Sequence, residues 1–237
     1  MSEIHPPAHC RPAAYEAFLA ALQSVETNDG LLRGAFAVAL HDRPEADLAA
    51  VETVIENLAY TVRRRVASES RDALLAHLHD VLFEVYGLRG NAEDYYDPAN
   101  SYVPDVLSSR RGLPITLSLV YKLVADKVGF RTHGVNAPGH FLVEIEPEAA
   151  GRAPLYIDPF HGGESLDPDD VIRRVSMAIG QSPADRSQAF ARASHRQWLF
   201  RLLGNLKAAL SAASRERDML AMEELQLLLR RPKRERP

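Results

Sequence analysis

A histidine and an aspartate, each beside a predicted strand, are the residues of this chain best placed to do chemistry. His140 leads into the apolar run FLVEIE, and Asp158 ends the run LYID. Neighbouring antiparallel strands bring side chains within about 5 Å of each other. Asp158 could then fix the tautomer of the His140 imidazole, as the carboxylate of a catalytic triad does. The pattern predicts either a working acid–base pair or a buried hydrogen bond that holds two strands in register.

A nucleophile for this pair is expected at the start of the helix predicted from Pro114 to about Val128. The helix dipole there lowers the pKa of a thiol and stabilises a developing anion. Residue 114 is a proline, however, and the one cysteine, Cys10, lies in a distant N-terminal segment. Thr116 and Ser118 are the remaining candidates, although such residues near a helix start usually cap it or bond to its backbone.

Two neighbouring segments supply residues that could line a cleft. DYYDPAN contributes Tyr96, Asp97 and Asn100, and SRRG contributes Arg110 and Arg111. Paired arginines can fork onto a carboxylate or a phosphate. The alternative is structural, with Asp97 paired to an arginine that pins the loop and Asn100 turning the chain.

His161 follows Asp158 closely, so it could exchange roles with His140 or bind a ligand. A metal held by His133, His140, Asp158 and His161 is conceivable. The spacing of these residues matches no compact metal-binding signature. We therefore expect no metal and no cofactor.

Helical patterns precede and follow this region. Apolar residues recur at three- and four-residue spacing from residue 13 to about residue 90, and again in RQWLFRLLGNLKAALSAA and RDMLAMEELQLLLRR. Between them lie the Pro114 helix and three strand candidates, RTHGVN, FLVEIE and LYIDPF. This order predicts an α+β fold. The predicted organisation is a loose tail (1–12), a helical layer (13–90), a core that forms one compact unit with that layer (91–180), and a helix pair with a basic tail (181–237).

Composition excludes several classes of function. A net charge of −4 and a pI of about 6.1 give no overall attraction to nucleic acid. No apolar run reaches the roughly 18 residues of a membrane span, and the N-terminus lacks the features of a secretory signal. A single cysteine allows no intramolecular disulfide. We expect a cytoplasmic protein without nucleic-acid or membrane partners, and the oligomeric state stays open.

The motifs YYDPANS, RRGLPITLSLVY and PGHFLVE, in this order and spacing, resemble the SirB1 family. That family is described as a transglutaminase-like core type 2 domain with a helical, often tetratricopeptide-like tail, and the resemblance covers roughly residues 31–230. It implies a papain-like cysteine-protease-type core. In such folds a glycine-x-cysteine opens the helix, whereas here Gly112 is followed by Leu113 and then Pro114. Family members commonly carry this proline segment.

The resemblance favours a catalytically degenerate protein that acts as a binding or regulatory module. His140 and Asp158 would be retained, and the cleft beside Pro114 would bind a protein or peptide partner. The competing hypothesis is a hydrolase or acyltransferase that uses Thr116 or Ser118 with that pair. One helix pair falls short of the roughly three repeats of a tetratricopeptide platform, so we expect it to pack on the core.

Overall fold

A computed structural model describes residues 6–67, 70–149, 151 and 153–230 of the chain. Within these residues, helices from both ends of the chain surround a small antiparallel sheet. The helices are α1 (Pro12–Ala21), α2 (Asn28–Ala39), α3 (Leu48–Arg65), α4 (Arg71–His79), α5 (Val103–Ser109), α6 (Pro114–Lys127), α7 (Pro168–Ile179), α8 (His195–Ala212) and α9 (Glu216–Arg230). The strands are β1 (Arg89–Gly90), β2 (Arg111–Gly112), β3 (Thr132–Val135), β4 (Leu142–Ile145), β5 (Leu155–Asp158), β6 (Glu164–Leu166) and β7 (Arg192–Ala193).

The main sheet has the strand order β6-β5-β4-β3-β7, and all of its pairings are antiparallel. Val143 of β4 lies opposite Gly134 of β3 on one side and opposite Ile157 of β5 on the other. The two short strands β1 and β2 pair in parallel, which brings together the two ends of the loop that follows β1. This loop carries the DYYDPAN segment.

Helix α6 is the central element of the core, because every residue from Pro114 to Ala125 is buried. Proline is well tolerated at its first position, where the missing N–H has no intrahelical partner. The helix packs against β3 and β4 on one side and against α3 and α8 on others. It therefore places its first turn beside the ends of the strands that carry the histidine and the aspartate.

The sheet separates two apolar clusters. Phe141, Val143 and Ile157 belong to the main core around α6, whereas Leu142 and Tyr156 belong to a smaller cluster that α7 covers. This division follows from the alternation of side chains along a strand. Helix α7 therefore lies against the opposite face of the sheet from α6.

The C-terminal helices α8 and α9 pack against each other and against α1 and α2. Trp198 of α8 is fully buried, and its indole N–H donates to the carbonyl oxygen of Ile115 at 3.2 Å. The carboxylate of Glu224 on α9 accepts the backbone N–H groups of Ala8 at 2.9 Å and Cys10 at 2.9 Å. Both ends of the described chain are thus tied to the same body.

These observations confirm the predicted α+β fold with an N-terminal helical layer and a C-terminal helix pair. The domain boundaries stay a prediction, and residues 1–5 and the basic tail 231–237 lie outside the described residues. None of the helices in the described ranges combines the length and the hydropathy that crossing a bilayer requires.

Candidate functional site

The structure brings His140 and Asp158 together. His140 lies just before β4 and Asp158 is the last residue of β5, and the two strands pair directly. The distance from His140 Nε2 to Asp158 Oδ2 is 2.8 Å. Asp158 is 0% exposed and His140 is 6% exposed, so the pair is removed from bulk water.

Asp158 accepts hydrogen bonds from several other groups. Its Oδ1 accepts the backbone N–H groups of Phe160 at 3.1 Å and His161 at 3.4 Å, which caps a short 3₁₀ helix. Its Oδ2 lies 2.8 Å from His161 Nδ1 and 2.5 Å from Nη1 of Arg174, a residue of α7. Burial alone raises the pKa of Asp158, but the hydrogen bonds from His140 and His161 outweigh it and hold that pKa well below its usual range.

The contacts of this cluster restrict where its protons can lie. Arg174 Nη1 contacts both Asp158 Oδ2 and His161 Nδ1, and a guanidinium nitrogen can only donate. A ring nitrogen carries either a hydrogen or a lone pair, so His161 Nδ1 cannot donate to the carboxylate and also accept from Arg174. We assign the carboxylate as the common acceptor, because charge-assisted bonds are the stronger ones. His140 then donates through Nε2, and its Nδ1 makes no hydrogen bond with any described residue.

A metal ion would compete with Arg174 at this cluster. The ligand atoms of His140, Asp158 and His161 lie within 4.8 Å of one another, which suits a single ion. The guanidinium of Arg174 already contacts two of these three residues and places a positive charge between them. The fourth residue considered from the sequence, His133, bonds instead to Glu146 at 2.7 Å.

The start of α6 presents no exposed nucleophile to this pair. Pro114 is buried at the first helical position. Ser118 is buried and its hydroxyl donates to the carbonyl oxygen of Phe141 at 3.4 Å. Thr116 is also buried, and its hydroxyl has no hydrogen-bond partner among the described residues. Neither hydroxyl therefore bonds to His140.

Cys10 does not replace the missing thiol. It is buried in the N-terminal segment, where its backbone N–H donates to Glu224 of α9. Burial, with a further contribution from the negative charge of Glu224, raises the pKa of the Cys10 thiol to about 12. A thiol held in this way is not a thiolate at neutral pH.

The loop after β1 is held together by two buried amides and is joined to the residues just before α6 by backbone hydrogen bonds. Asn91 Nδ2 donates to Asn100 Oδ1 at 2.9 Å, and Asn100 Nδ2 donates to the carbonyl oxygen of Asp94 at 2.6 Å. The backbone N–H of Asn91 also donates to Gly112 at 3.1 Å. Asn100 therefore pins the loop, beyond the turning role expected from the sequence.

This loop sets aromatic rings beside the histidine–aspartate pair. The ring centroid of Tyr95 lies 6.1 Å from that of Phe160, which in turn lies 6.3 Å from that of His140. Tyr96 packs edge-on against Tyr95 and is 62% exposed. We call the rings of Tyr95, Tyr96, Phe160 and His161 the aromatic rim.

The two arginines do not form the paired binding site that their sequence suggested. Arg110 adopts a left-handed conformation (φ 63°) that ends α5, and its guanidinium lies 5.4 Å from the ring centroid of Tyr86. Arg111 forms an exposed ion pair with Glu93 at 3.0 Å. The turn at residue 110 sends the consecutive side chains to different partners. Asp97 accepts the backbone N–H of Ala99 at 2.9 Å, and its ion pair with either arginine does not form.

Phe160 and Arg174 are site residues that the sequence reasoning missed. Phe160 could have been found from the sequence, because it stands two residues after Asp158. Arg174 had none, since it is one of several arginines on an amphipathic helix and reaches the carboxylate only through the packing of α7.

A family model described as the transglutaminase-like superfamily matches residues 49–204. The chain belongs to this superfamily. The match includes the start of α6, both strands of the histidine–aspartate pair and most of α8. The matched range therefore contains Pro114, His140 and Asp158.

Curated relatives of this transglutaminase-like chain are longer than the chain itself. A UPF0162 protein of Xylella fastidiosa (strain 9a5c) is 35% identical over 189 residues, which are 78% of this chain and 66% of that protein. F-box only protein 21 of Mus musculus is 32% identical over 153 residues, 62% of this chain and 23% of that protein. The human protein of that name is 27% identical over 223 residues, 82% of this chain and 34% of that protein. No solved structure matches the chain.

Proposed function

We propose that this chain is a catalytically silent transglutaminase-like protein that binds a protein or peptide segment beside His140, as a binding or regulatory module. The observation that carries the proposal is the start of α6, where Pro114 stands in place of a nucleophile and both nearby hydroxyls are buried. The motifs that resemble the SirB1 family support the same assignment.

Proline at this position removes two catalytic functions at once. It offers no thiol or hydroxyl to attack a carbonyl carbon. It also has no backbone N–H, so residue 114 cannot donate to a developing oxyanion at the helix N-terminus. Losing one oxyanion donor alone slows acyl transfer by about two to three orders of magnitude.

The histidine–aspartate pair has a structural role in this proposal. Asp158 links the strand β5 to His140 before β4, to His161 in the 3₁₀ turn and to Arg174 of α7. These bonds join four segments through one carboxylate. In this proposal the pair fixes the positions of these four segments around His140.

The aromatic rim supplies a surface for a partner. Tyr96 is 62% exposed, and Tyr95 is 37% exposed beside it. Tyrosine is common at protein interfaces, because its ring contributes apolar area and its hydroxyl a hydrogen bond. The loop that carries Tyr95 and Tyr96 is held in place by the buried amides of Asn91 and Asn100, so little order is lost on binding.

One observation favours the alternative, a hydrolase or acyltransferase that uses Thr116 or Ser118 with His140 and Asp158. The hydroxyl of Thr116 has no hydrogen-bond partner among the described residues, and His140 Nδ1 is also unpaired there. A hydroxyl needs an adjacent base to act as a nucleophile. The reaction would therefore require the Thr116 hydroxyl to lie within hydrogen-bond distance of His140 Nδ1.

A fluorophosphonate probe separates the two functions. We expect the native protein to show no more labelling than the heat-denatured protein. Labelling that is lost in both Thr116→Val and His140→Gln, or in both Ser118→Ala and His140→Gln, would establish the enzyme and overturn the proposal.

Selection of peptides on the immobilised protein tests binding directly. We expect the selected peptides to bind at least about tenfold more weakly to Tyr96→Ser, because an interface tyrosine often contributes more than 1.4 kcal/mol. Tyr60→Ser is the matched control, since Tyr60 is 58% exposed but lies on α3. Peptides whose affinity is the same for Tyr96→Ser and the native protein would contradict a binding site at the aromatic rim.

A further inference from the structure

Arg201 of α8 carries a charge that no carboxylate of the described residues neutralises. Its Nη1 donates to the carbonyl oxygen of Ala137 at 2.8 Å and to Oδ1 of Asn136, and both acceptors are neutral. Its guanidinium also lies 5.5 Å from the ring centroid of Phe141. Within the described residues it forms no ion pair, and its Nε and Nη2 make no hydrogen bond.

The positive charge of Arg201 is only partly stabilised by its surroundings. Burial lowers the pKa of the Arg201 guanidinium, which shows that the surroundings disfavour its charge. A partly buried cation without an anionic partner is destabilising, and the free Nε and Nη2 donors, which are not among the fully buried unpaired atoms, stay open to a ligand from solvent. The free Nε and Nη2 donors are adjacent on the guanidinium and match the two oxygens of a carboxylate.

Arg201 lines a cavity of about 400 Å³ at the surface of α8. The other lining residues are uncharged, and several carry side-chain amides or an aromatic ring. They are Asn136, Gln197, Phe200, Gly204 and Asn205. Amide groups can hydrogen-bond to an oxygen acceptor, and the ring of Phe200 can cover the apolar part of a bound side chain.

The cavity adjoins the site beside His140. The carbonyl oxygen of Ala137 accepts both from Arg201 and from the backbone N–H of His140, at 2.8 and 3.2 Å. Tyr95 of the aromatic rim is close enough for the charge of Arg201 to oppose the rise that burial causes in its pKa. A segment bound along the aromatic rim can therefore place a neighbouring group in the cavity.

We propose that Arg201 anchors a carboxylate-binding pocket, and that the partner of this protein is a peptide segment with an acidic residue. This inference rests on the proposed binding function. A carboxylate is favoured over a phosphate because Arg201 is the one cation among the lining residues, and a single positive charge leaves a phosphate dianion only half neutralised. The nearby guanidinium of Arg230 lies 5.4 Å from the ring centroid of Phe200 and is not part of the lining.

Nuclear magnetic resonance of the labelled protein tests the pocket with two small probes of equal shape. The probes are N-acetylglutamate N-methylamide and its neutral glutamine counterpart. We expect the glutamate probe to shift the Arg201 Nε–H and the side-chain amide signals of Asn136 and Asn205 in a saturable way. The glutamine probe should bind at least about tenfold more weakly, because it cannot form charge-assisted bonds.

Two further arms distinguish the source of the anion. N-acetylglutamine with a free terminal carboxylate tests whether a peptide C-terminus serves as well as an acidic side chain. Inorganic phosphate tests the alternative anion. Shifts that are stronger with phosphate than with either carboxylate would overturn the assignment to a peptide carboxylate.

Two variants test the residue itself. Arg201→Gln should weaken binding of the glutamate probe at least about tenfold. Lys207→Gln is the matched control, because it removes one positive charge from the same helix but lies outside the cavity lining and pairs with Glu223 at 3.3 Å. If Arg201→Gln does not fold, the comparison of the glutamate and glutamine probes on the native protein still shows whether the cavity prefers a carboxylate.

Equal shifts from the glutamate and glutamine probes, or no saturable shift at all, would show that Arg201 serves only to clamp the loop before His140. Peptides that depend on Tyr96 but lack acidic residues would leave the proposed function standing and refute the pocket. If the glutamate probe binds but the protein selects no peptides, the pocket stands and the proposed function is refuted.

Discussion

Replacing Asp158 with asparagine tests whether one buried carboxylate holds the candidate site together. Oδ2 accepts from His140, His161 and Arg174, and Oδ1 accepts two backbone N–H groups. Asparagine has nearly the same shape but only one oxygen. With that oxygen at the Oδ2 position, its NH₂ faces the two backbone donors. In the other orientation its NH₂ faces the three side chains, so donors oppose donors either way.

The expected cost follows from this geometry. Removing one member of a buried, hydrogen-bonded charge pair costs about 3–5 kcal/mol. Asp158 is fully buried, but the side chains of His161 and Arg174 are 46% and 19% exposed and are partly screened by water. We therefore expect the lower end, about 3 kcal/mol. In a chain of this size that loss lowers the melting temperature by about 6–12 °C.

The loss should also depend on pH. The pKa of Asp158 is held below its ordinary value of 3.8, so its ionised form contributes stability that is complete above that value. This contribution disappears as the pH falls below 3.8 towards the pKa of the folded protein. The difference in unfolding free energy between native and variant protein should therefore shrink as the pH falls below about 4.

Urea unfolding followed by circular dichroism at several pH values measures both effects. Asp169→Asn is the matched control, because Asp169 is 77% exposed and forms only a surface ion pair with Arg186. We expect that control to change the unfolding free energy by less than about 1 kcal/mol. If Asp158→Asn costs no more than the control, or if its cost is the same at pH 7 and pH 3, the carboxylate does not hold the site together.

Two further predictions concern the core behind the site. Burial lowers the pKa of His79 from its ordinary value of 6.5 to about 4. Between pH 6.5 and pH 4 the unfolded chain therefore binds a proton that the folded chain does not, and the stability of the fold decreases as the pH drops. His79→Gln should flatten this slope in melts at pH 7.5 and pH 5, and an unchanged slope would contradict the burial effect. In Gly134→Ala the added Cβ would lie 2.3 Å from Cζ3 of Trp198, so we expect a loss of about 1–3 kcal/mol. Gly204→Ala, whose added Cβ has its nearest neighbour at 3.7 Å, should stabilise helix α8 instead, and equal effects from the two glycine variants would refute the packing argument.

Much of the fold could be predicted because its signals are local. The apolar spacing of the helices, and the proline at the first position of α6, predicted α6 to within a residue of its observed end. The three central strands were also predicted from short apolar runs. The edge strands β6 and β7 were missed, since they have three and two residues and exist only through pairing with β5 and β3.

The sequence by itself determined which residues are candidates for chemistry. It placed a histidine and an aspartate at the ends of adjacent strands, and its resemblance to a known family put a proline where a nucleophile would stand. These conclusions need only residue identity, order and the pairing of neighbouring strands, all of which are short-range properties of the chain.

The tertiary structure alone decided which charges meet and which remain unpaired. It brought Arg174 of α7 onto Asp158, sent Arg110 and Arg111 to separate partners, and left Arg201 among neutral acceptors. The reason is physical: ion pairing and burial depend on distances of a few ångströms between elements far apart in sequence. No local pattern of residues specifies those distances, because they are set by how whole helices pack on the sheet.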